Sequence, residues 1–337
     1  MLFLALETSC DETAAAVFTD EPRILSNVVA SQNELHARFH GVVPEIAARA
    51  HLRNLLPVID EAIRQAGVQL GDIGCIAVHN CPGLVGALLI GVSAAKMLSV
   101  ALEIPLVAVN HLASHIYACR LAAGRDIFPC VGLVVSGGHT ALFHCEDALT
   151  MKLLGGTRDD AAGEAFDKVA AILGLGFPGG PALEREAVAG NPLAYKFPRS
   201  FLNESRLEFS FSGLKTAVLY TIHGQNVARS DEPSLPGQDR SNVAASFQQA
   251  VVDVLVAKCK QALQQTGLKR LAVGGGVIAN RALRSALEAM AQREGAELFI
   301  PPMNLCTDNA AMAALAVEKW RRNEFATLEL EAEPNFL

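Results

Sequence analysis

The chain has 337 residues, of which 51% are apolar and 19% are charged, and its formal net charge is −7 at pH 7. This length accommodates two domains or one large one, and the apolar content excludes a disordered or fibrous chain. A protein that holds nucleic acid alone usually carries a basic excess, so any nucleic acid would need a local basic patch or a partner protein.

The cysteines and the N-terminus predict where the protein works. Eight cysteines lie at irregular spacings without a CxxC pair, which is typical of reduced thiols in a cytoplasmic protein. The apolar residues 1–6 lack a basic flank and run directly into Glu7 and Asp11, unlike a signal peptide. The longest uncharged window, residues 73–95, contains Pro82 and several glycines. We therefore expect a cytoplasmic protein without a membrane span.

Short β-rich runs alternate with longer helical patterns along the chain, which favours an α/β fold. The predicted strands are residues 2–6, 75–78, 106–109, 131–135 and 271–273. Apolar residues at three- and four-residue intervals predict amphipathic helices over residues 48–65 and 243–265. Residues 224–240 have no periodicity and contain two prolines, so an exposed loop is expected there.

Twice in the chain an apolar run breaks at a small polar cluster and resumes as a second apolar run. The first reads LFLAL-ETSCDET-AAAVF and the second reads VGLVV-SGGHT-ALFHC. Each predicts a strand, a tight turn and an antiparallel return strand. The pair suggests duplicated halves that face each other across a cleft, and two unrelated hairpins are the alternative because Gly-Gly turns are common.

Two glycine clusters are candidate binding segments. Residues 136–140 (SGGHT) can form an anion-binding nest, because their backbone amides are little shielded by side chains. Residues 274–276 (GGG) follow a predicted strand and precede a helix that begins near Asn280, where a nucleoside could lie. Neither cluster matches a Rossmann or P-loop motif, and tight strand-to-helix packing is the alternative for the second.

His111 and His115 lie in VNHLASH, directly after a predicted strand, and their spacing places both imidazoles on one helical face. Such a pair can bind a divalent metal, with Asp308 at a predicted helix N-cap as the best third ligand. Leu112 stands where the metalloprotease motif HExxH requires glutamate. Histidines without a metal are the alternative interpretation of the pair.

The acidic residues Asp160, Glu164 and Asp167 fall at i, i+4 and i+7 of a predicted helix. Water solvates this face, or a ligand hydroxyl or cation uses it. The helix is predicted to end at residues 177–181 (FPGGP), a segment that brings backbone against a ribose or simply turns a corner.

Basic and aromatic residues interleave around residues 209–216 (FSFSGLKT), which Lys196, Arg199 and Arg206 precede. This pattern makes the segment a candidate RNA-facing edge. The alternative is a strand with core phenylalanines and incidental charges.

Taken together, nine segments resemble, in order, the motif series of the universal tRNA threonylcarbamoyltransferase family. They are ETSCDET, PGLVGAL, VNHLASH, VSGGHT, DDAAGEAFDK, FPGGP, FSFSGLKT, GGGVIAN and CTDNAAM. The resemblance implies an actin-like, Hsp70-like and sugar-kinase-like α/β fold with two lobes and a central cleft. We expect an N-terminal lobe over residues 1–109, a C-terminal lobe with the metal and nucleotide sites over 110–322, and a tail over 323–337 that packs on the first lobe.

The same resemblance implies a reaction. The threonylcarbamoyl group moves from threonylcarbamoyl-AMP to the exocyclic amine of the adenosine 3′ of the anticodon, in tRNAs that read codons beginning with A. The implied partners are a TsaB-like paralogue, a TsaE-like ATPase and a separate upstream synthase that makes the adenylate.

The resemblance also assigns residues. His111, His115 and Asp308 match the family's metal ligands, for Fe²⁺ first and Zn²⁺ as the alternative, and Asp11 and Glu12 match its N-terminal acidic pair, the candidate catalytic residues. The family's nucleotide or substrate contacts correspond to Val134, Val135, Ser136, Gly137, Gly138, Asp167, Gly180 and Asn280. We expect the metal to orient the threonylcarbamoyl group, the turn amides to hold the AMP phosphate, and the acidic pair to accept the amine proton.

Two features depart from the family pattern. Cys81 stands where glycine is common, and the tail LELEAEPNFL lacks the frequent basic and aromatic ending. An ATPase or sugar kinase of the same fold is the enzymatic alternative, but it leaves the histidine pair unused. A non-catalytic scaffold of the same complex is the other alternative, and a metalloprotease would need a general base beside the metal.

Overall fold

The computed structural model describes residues 1–21, 23–224 and 237–335. The strands are β1 (Leu2–Glu7), β2 (Glu12–Thr19), β3 (Ile24–Ser31), β4 (Ile73–Cys81), β5 (Leu106–Asn110), β6 (Cys130–Val135), β7 (Thr140–Cys145), β8 (Met151–Gly156), β9 (Arg270–Gly274) and β10 (Glu297–Phe299). The α-helices are α1 (Asn33–His36), α2 (Pro44–Ala66), α3 (Val85–Leu102), α4 (His111–Ala123), α5 (Ala162–Ile172), α6 (Gly179–Ala187), α7 (Ser212–His223), α8 (Gly237–Thr266), α9 (Arg281–Glu294) and α10 (Ala316–Arg321). Short 3₁₀ turns include Gly276–Ala279 and Ala310–Leu315.

The chain divides into two compact units. Unit 1 comprises Met1–Asp126, Asp147–Thr150 and Pro301–Leu337, and unit 2 comprises Ile127–Glu146 and Met151–Ile300. Within the described residues each unit has a five-stranded mixed sheet, in the order β3-β2-β1-β4-β5 for unit 1 and β10-β9-β6-β7-β8 for unit 2. In each sheet an antiparallel three-stranded meander is followed by two parallel strands. The α/β class and both hairpins are thereby confirmed.

Both faces of the unit 1 sheet are buried. Because neighbouring residues of a strand point to opposite faces, each face forms its own core. On one face, Phe3 and Ala5 of β1 pack with Tyr117 of α4 and with residues 310–317. On the other face, the next residues along β1 pack with Leu55 of α2 and with α3. Nearly continuous apolar strands are expected for a sheet that is covered on both sides.

The division into units differs from the expected lobe boundaries. α4 and residues 301–322 were assigned to the C-terminal lobe, but they belong to unit 1. Burial explains the difference, since Tyr117 and residues 310–317 complete the core on one face of the unit 1 sheet. The candidate metal ligands are therefore in unit 1, and the candidate nucleotide residues are in unit 2.

The C-terminal tail pairs with the backbone of unit 1. The amide of Ala326 donates to the Leu106 carbonyl at 2.8 Å, and that of Glu333 donates to the Asn80 carbonyl at 2.8 Å. The unusual Cys81 ends β4, where its Sγ accepts a hydrogen bond from Asn110 Nδ2 at 3.4 Å.

Both predicted amphipathic helices are present, within α2 and α8. α8 begins at Gly237, so the last residues of the segment expected to be a loop are helical. Residues 225–236 of that segment lie outside the described residues.

One helix among the described residues, α3, is long and apolar enough to cross a membrane, with a mean hydropathy of 2.0. Only 28% of it is buried. Helices of globular proteins also meet this criterion, so length and composition do not by themselves indicate a span.

Candidate metal and nucleotide sites

The candidate metal ligands of unit 1 converge at the start of α4. This helix follows β5 without a loop, and the side chain of Asn110 caps it by accepting a hydrogen bond from the Ala113 amide at 3.0 Å. His111 is thus the first helical residue, and His115 lies one turn later on the same face, with ring centroids 4.6 Å apart. Both rings are buried, and the sequence spacing predicts this placement.

Asp308 reaches the same point from the segment before the 3₁₀ turn Ala310–Leu315. Its Oδ1 lies 3.2 Å from His115 Nε2 and 3.6 Å from His111 Nε2. The N-cap of the turn is Asn309 rather than Asp308, which leaves the Asp308 carboxylate turned toward the histidines.

The donor set fits a divalent cation. Ligand atoms of His111, His115 and Asp308 all lie within 4.8 Å of one another. His115 Nε2 is buried and makes no hydrogen bond of regular geometry within the described part of the chain. Two imidazole nitrogens and one carboxylate oxygen leave coordination positions open for other ligands.

Charge and burial act in opposite directions on these groups. Burial alone would lower the pKa of His111, but the carboxylates of Asp308 and Glu7 raise it to about 9. Burial dominates at His115 and lowers its pKa. Burial would raise the pKa of Asp308, yet the charge of His111 and contact with His115 hold it below its usual value. The cluster therefore favours an ionised carboxylate at Asp308.

A second buried carboxylate, Glu7 at the end of β1, lies behind the histidine pair. Its Oε2 is 3.0 Å from His111 Nδ1 and 2.8 Å from Nδ1 of His79 on β4. The sequence analysis assigned no role to Glu7 or His79. The one sequence feature they share is that each follows a run of apolar residues. These runs are β1 and β4, which pair in parallel, so Glu7 and His79 come to lie side by side.

The acidic pair expected to be catalytic lies on the β1–β2 turn of unit 1. Burial, and secondarily the charge of Asp308, raises the pKa of Asp11. Burial raises the pKa of Glu12 to about 7, although Ser31 Oγ donates a hydrogen bond to its Oε1 at 2.9 Å. Glu12 Oε2 has no hydrogen-bond partner within the described ranges. A carboxylate of this pKa can accept a proton near neutral pH.

His51 of α2 fixes the turn that carries this pair, and the sequence analysis missed it. Its Nε2 donates to the Cys10 carbonyl at 2.9 Å, while its Nδ1 accepts from Thr13 Oγ1 at 2.9 Å. In the sequence, His51 is one of several polar positions of an amphipathic helix. Its side chain is buried against the β1–β2 turn, and helical periodicity does not indicate such a contact.

The corresponding turn of unit 2, between β6 and β7, carries glycines instead of acids. The Ser136 amide donates to the His139 carbonyl at 2.8 Å, which closes the turn. Helix α5 packs directly against it, since a Cβ on Gly163 would lie 2.5 Å from the Ser136 carbonyl oxygen. At Gly137 and Gly138 a Cβ would meet nothing within 4 Å, so their backbone is accessible.

A pocket of about 170 Å³ opens in unit 2 beside this turn. It is lined by Gly137, Gly163, Phe166, Asp167, Pro178, Gly180, Pro181, Glu184, Gly276, Val277, Ala279 and Asn280. The pocket also depends on Gly275, whose φ of +99° and close approach to the Val135 carbonyl exclude a side chain.

Among the eight residues expected to contact nucleotide, Gly137, Asp167, Gly180 and Asn280 line this pocket. Val134 and Val135 are fully buried in β6, so only their backbone is suited to a ligand contact. Ser136 and Gly138 belong to the adjoining turn.

The polar side chains of the pocket have structural partners as well. Asp167 Oδ1 accepts from the Gly179 amide at 2.7 Å, and Asn280 caps α9 while donating from Nδ2 to Gln248 Oε1 at 2.7 Å. Glu184, which the sequence analysis overlooked, accepts from the Arg281 amide at 2.7 Å. It sits on α6, three residues beyond the FPGGP segment, and no motif marks it.

The three residues of the predicted acidic face, Asp160, Glu164 and Asp167, have different surroundings. Lys168 Nζ lies 2.7 Å from carboxylate oxygens of both Asp160 and Glu164, which neutralises that part of the face. Asp167 lies apart from them on the pocket wall.

The expectation of an RNA-facing aromatic edge is wrong. Phe209 and Phe211 are completely buried, so neither ring can stack on a base. Arg206 pairs with Glu204 at 2.7 Å, and Arg199 pairs with Asp253 at 2.9 Å. The alternation of residues 209–216 reflects core packing, as the alternative interpretation held.

Comparisons with solved structures show the fold. Full-length HypF in the phosphate- and nucleotide-bound form is 14% identical with a TM-score of 0.62, and the match covers 96% of this chain and 56% of that one. Component A of (R)-2-hydroxyglutaryl-CoA dehydratase from Acidaminococcus fermentans is 14% identical with a TM-score of 0.56, over 95% and 98% of the two chains. These likenesses confirm an actin-like, Hsp70-like and sugar-kinase-like α/β fold.

Comparisons of sequence show the family. A family model described as TsaD, tRNA N6-adenosine threonylcarbamoyltransferase, matches residues 23–315. The enzyme of that name from Rhodopirellula baltica is 51% identical over 99% of this chain and 96% of its own length. The Bacillus subtilis enzyme is 53% identical over 94% of this chain and 89% of its own. The chain therefore belongs to the TsaD family of tRNA N6-adenosine threonylcarbamoyltransferases.

Proposed function

We propose that this threonylcarbamoyltransferase takes its acyl group from threonylcarbamoyl-AMP and delivers it to the adenosine 3′ of the anticodon, in tRNAs that read codons beginning with A. The observation that carries the proposal is the convergence of His111, His115 and Asp308 in the unit that also holds Asp11 and Glu12. An adenine amine is a weak nucleophile, so it needs an activated donor held in place, and a mixed carbamic-phosphoric anhydride is such a donor.

The donor set of His111, His115 and Asp308 suits Fe²⁺, with Zn²⁺ as the alternative, because two imidazoles and one carboxylate are ligands for both ions. A bound ion would act as a Lewis acid on the threonylcarbamoyl carbonyl. The burial of both rings supports this assignment, since buried imidazoles around an ionised carboxylate form a preorganised site.

The AMP portion of the donor is proposed to occupy the pocket of unit 2. The exposed backbone of Gly137 and Gly138 suits the phosphate, since successive unshielded N–H groups bind anions, and Ser136 closes the turn that carries them. Asp167, Gly180 and Asn280 line this pocket and are proposed to contact the nucleoside, as is the backbone of Val134 and Val135 on the adjoining strand β6. Glu184 adds a second carboxylate to the pocket wall. Hydrogen bonds to the departing phosphate would stabilise its developing charge.

Glu12 is the residue we assign as general base for the adenine amine. Its pKa of about 7 is suited to accepting a proton near neutral pH, and its Oε2 is not engaged in a hydrogen bond in the described structure. Asp11 lies next to it with a raised pKa and is the other candidate.

A TsaB-like paralogue is proposed to dock on an apolar face of α2 and α3, which pack together in unit 1. Large side chains on these helices are unusually exposed: Leu52, Leu56 and Met97 are each at least 70% accessible. Exposed apolar patches of this kind mark interaction sites, and a paralogue of the same fold could bring an equivalent helix pair. Leu56→Glu is expected to prevent complex formation in gel filtration, whereas Leu153→Glu on the exposed part of β8 should not.

The remaining partners are a TsaE-like ATPase and a separate synthase that makes the adenylate from threonine, bicarbonate and ATP. The acidic net charge supports a role for these partners in tRNA binding. The free cysteines are compatible with the expected cytoplasmic location.

Reconstitution tests the whole proposal. The protein is combined with the partner proteins, threonine, bicarbonate, ATP and an unmodified tRNA transcript, and the digested tRNA is analysed by nucleoside mass spectrometry. Threonylcarbamoyladenosine at the position 3′ of the anticodon is the expected product. Absence of any modified nucleoside would contradict the proposal, and ATP turnover by this protein without its partners would favour the kinase-like alternative.

A further inference from the structure

The carboxylate of Glu7 is completely buried, and its contacts lie on the side of the metal cluster away from Asp308. Glu7 ends β1, next to β4, which carries His79. An ionised carboxylate without partners is costly to bury, so the groups around Glu7 must satisfy its oxygens. Those groups are His79, His111 and the Ser9 amide, which donates to Glu7 Oε1.

The distances distinguish two roles for this carboxylate. Glu7, His79 and His111 could form a second metal site by composition alone. However, Glu7 Oε2 lies 3.0 Å from His111 Nδ1, with which it forms a hydrogen bond, and 2.8 Å from His79 Nδ1, a close contact without hydrogen-bond geometry. Two ligand atoms that each lie about 2.0–2.2 Å from a tetrahedral ion stand farther apart than this. The spacing therefore favours direct contact between these atoms, not an ion between them.

The Glu7 contact determines which nitrogen of His111 faces Asp308. With Nδ1 directed at Glu7, Nε2 is left on the side of Asp308 and His115, at 3.6 Å from Asp308 Oδ1. Ser9 Oγ lies 3.1 Å from the same Nδ1 and reinforces this orientation. Metal-ligating histidines are commonly oriented by a carboxylate on the other ring nitrogen, which also makes the imidazole a stronger ligand.

His79 anchors this arrangement to the helix that carries both ligands. Ser114 lies between His111 and His115 on α4 and donates its hydroxyl proton to the Asn110 carbonyl at 2.9 Å. With that proton committed, Ser114 Oγ accepts from His79 Nε2, which lies 2.9 Å away. The same imidazole contacts Glu7, so one network ties the ends of β1 and β4 to the ligand-bearing turn of α4.

We propose that Glu7, held by His79, is the positioning residue that presents His111 Nε2 to the metal. Glu7 does not itself bind the ion. This role rests on the metal site proposed above. It adds the chain of contacts Glu7–His79–Ser114 to that site, and this chain orients His111 before a metal binds. Glu7→Gln keeps the size of the side chain but removes the charge and one of the two acceptor oxygens, so its amide cannot accept from both the Ser9 amide and the imidazoles.

The test is a metal-binding measurement on the full chain, independent of enzymatic activity. Zn²⁺ affinity is measured by competition with a chromophoric chelator, and Co²⁺ is used for its d–d absorption spectrum. Glu7→Gln is expected to weaken Zn²⁺ binding about 10- to 100-fold and to change the Co²⁺ spectrum. The matched control is Glu318→Gln, because Glu318 also holds α4, through Tyr117 and Arg120, but touches no ligand ring.

Three outcomes would overturn the role. Wild-type Zn²⁺ affinity in Glu7→Gln, or an equal loss in Glu318→Gln, would show that Glu7 does not act on the ligand. If the unsubstituted protein bound neither Zn²⁺ nor Co²⁺, the result would contradict both the proposed metal site and the role of Glu7.

The unsubstituted protein supplies a second test that does not depend on how the variant folds. Long-range ¹H–¹⁵N NMR of the histidine rings in the Zn²⁺-loaded protein should show His111 protonated at Nδ1 and coordinated through Nε2. Coordination through Nδ1 is incompatible with the Glu7 contact and would refute the proposal.

Discussion

The two units have the same sheet topology but present different chemistry at the first turn of each sheet. In unit 1 the β1–β2 turn carries Asp11 and Glu12, and buried histidines and carboxylates surround it. In unit 2 the β6–β7 turn carries Gly137 and Gly138 with accessible backbone. We propose that one scaffold thus provides a cation site built from side chains and an anion site built from main-chain amides. Topology alone does not determine what such a turn binds.

The largest effect should come from the side-chain site. His111→Ala removes one of three protein ligands, and we expect tRNA modification to fall by about 10³-fold or more, because Lewis-acid activation contributes several kcal/mol. The protein should lose bound metal and keep its fold. Modification is measured by nucleoside mass spectrometry, metal by elemental analysis and folding by circular dichroism.

His144→Ala on β7 is the control, since it removes a histidine of unit 2 that belongs to neither site. Full activity of His111→Ala in protein shown to be free of metal would contradict the comparison, because the side-chain site of unit 1 would then be dispensable.

The next effect concerns the acidic pair. Glu12→Gln is expected to lower the rate of transfer by about 10²- to 10⁴-fold, the usual contribution of a general base. Because burial raises the pKa of Glu12 to about 7, the carboxylate loses its proton as pH rises through neutrality. The wild-type rate should therefore increase from about pH 6 to about pH 8.

A pH–rate profile under single-turnover conditions measures this dependence. In Glu12→Gln the residual rate should lack the rise near pH 7, and the exposed Glu34→Gln should behave as wild type. A rise that persists in Glu12→Gln would transfer the role to Asp11, whose pKa is also raised.

The two sites were not equally predictable from the sequence. The HxxxH spacing places two rings on one helical face, and the apolar runs around SGGHT define a hairpin, so local patterns predict both features. Glu7 and His79 carry no such pattern, because their contact arises only when two parallel strands bring their carboxyl ends together. Asp308 is indicated by its position at a predicted helix N-cap, whereas the family resemblance alone indicates nucleotide contacts such as Val134, Val135 and Gly180.

The errors of the sequence analysis have a common physical cause. Phe209 and Phe211 alternate with polar residues, and this pattern is the same for a buried segment and for an exposed edge. Periodicity therefore did not show that both rings are buried. The units likewise depend on distant contacts, since residues 310–317 return from far along the chain to pack with Tyr117 of α4. Burial by a sequence-distant segment cannot be inferred from local composition.

The third prediction tests the backbone site of unit 2 with two glycines. Gly137→Ala adds a methyl group where nothing lies within 4 Å, so stability should be unchanged while AMP binding weakens by about tenfold. Gly163→Ala would place a Cβ 2.5 Å from the Ser136 carbonyl oxygen, and we expect a loss of about 1–3 kcal/mol of stability. Calorimetry for AMP and thermal denaturation separate these outcomes.

Equal effects of the two substitutions on AMP binding, with equal melting temperatures, would show that the amides of the turn are not the anion site. Unchanged metal affinity in both variants is the control for unit 1.

The smallest effect is expected at the charged surface of unit 2. Arg206 pairs with Glu204 at 2.7 Å and lies over the Phe201 ring at 4.9 Å, so its charge is already engaged within the protein. Arg206→Ala should therefore change the affinity of the assembled complex for tRNA by less than about twofold. Each lost phosphate contact would lower the slope of log affinity against log salt by about 0.7–0.9, and no such change is expected here. A decrease of that size, measured by filter binding between low and moderate salt, would show that Arg206 leaves Glu204 for the RNA. The surface charges of unit 2 would then bind substrate alongside its backbone amides.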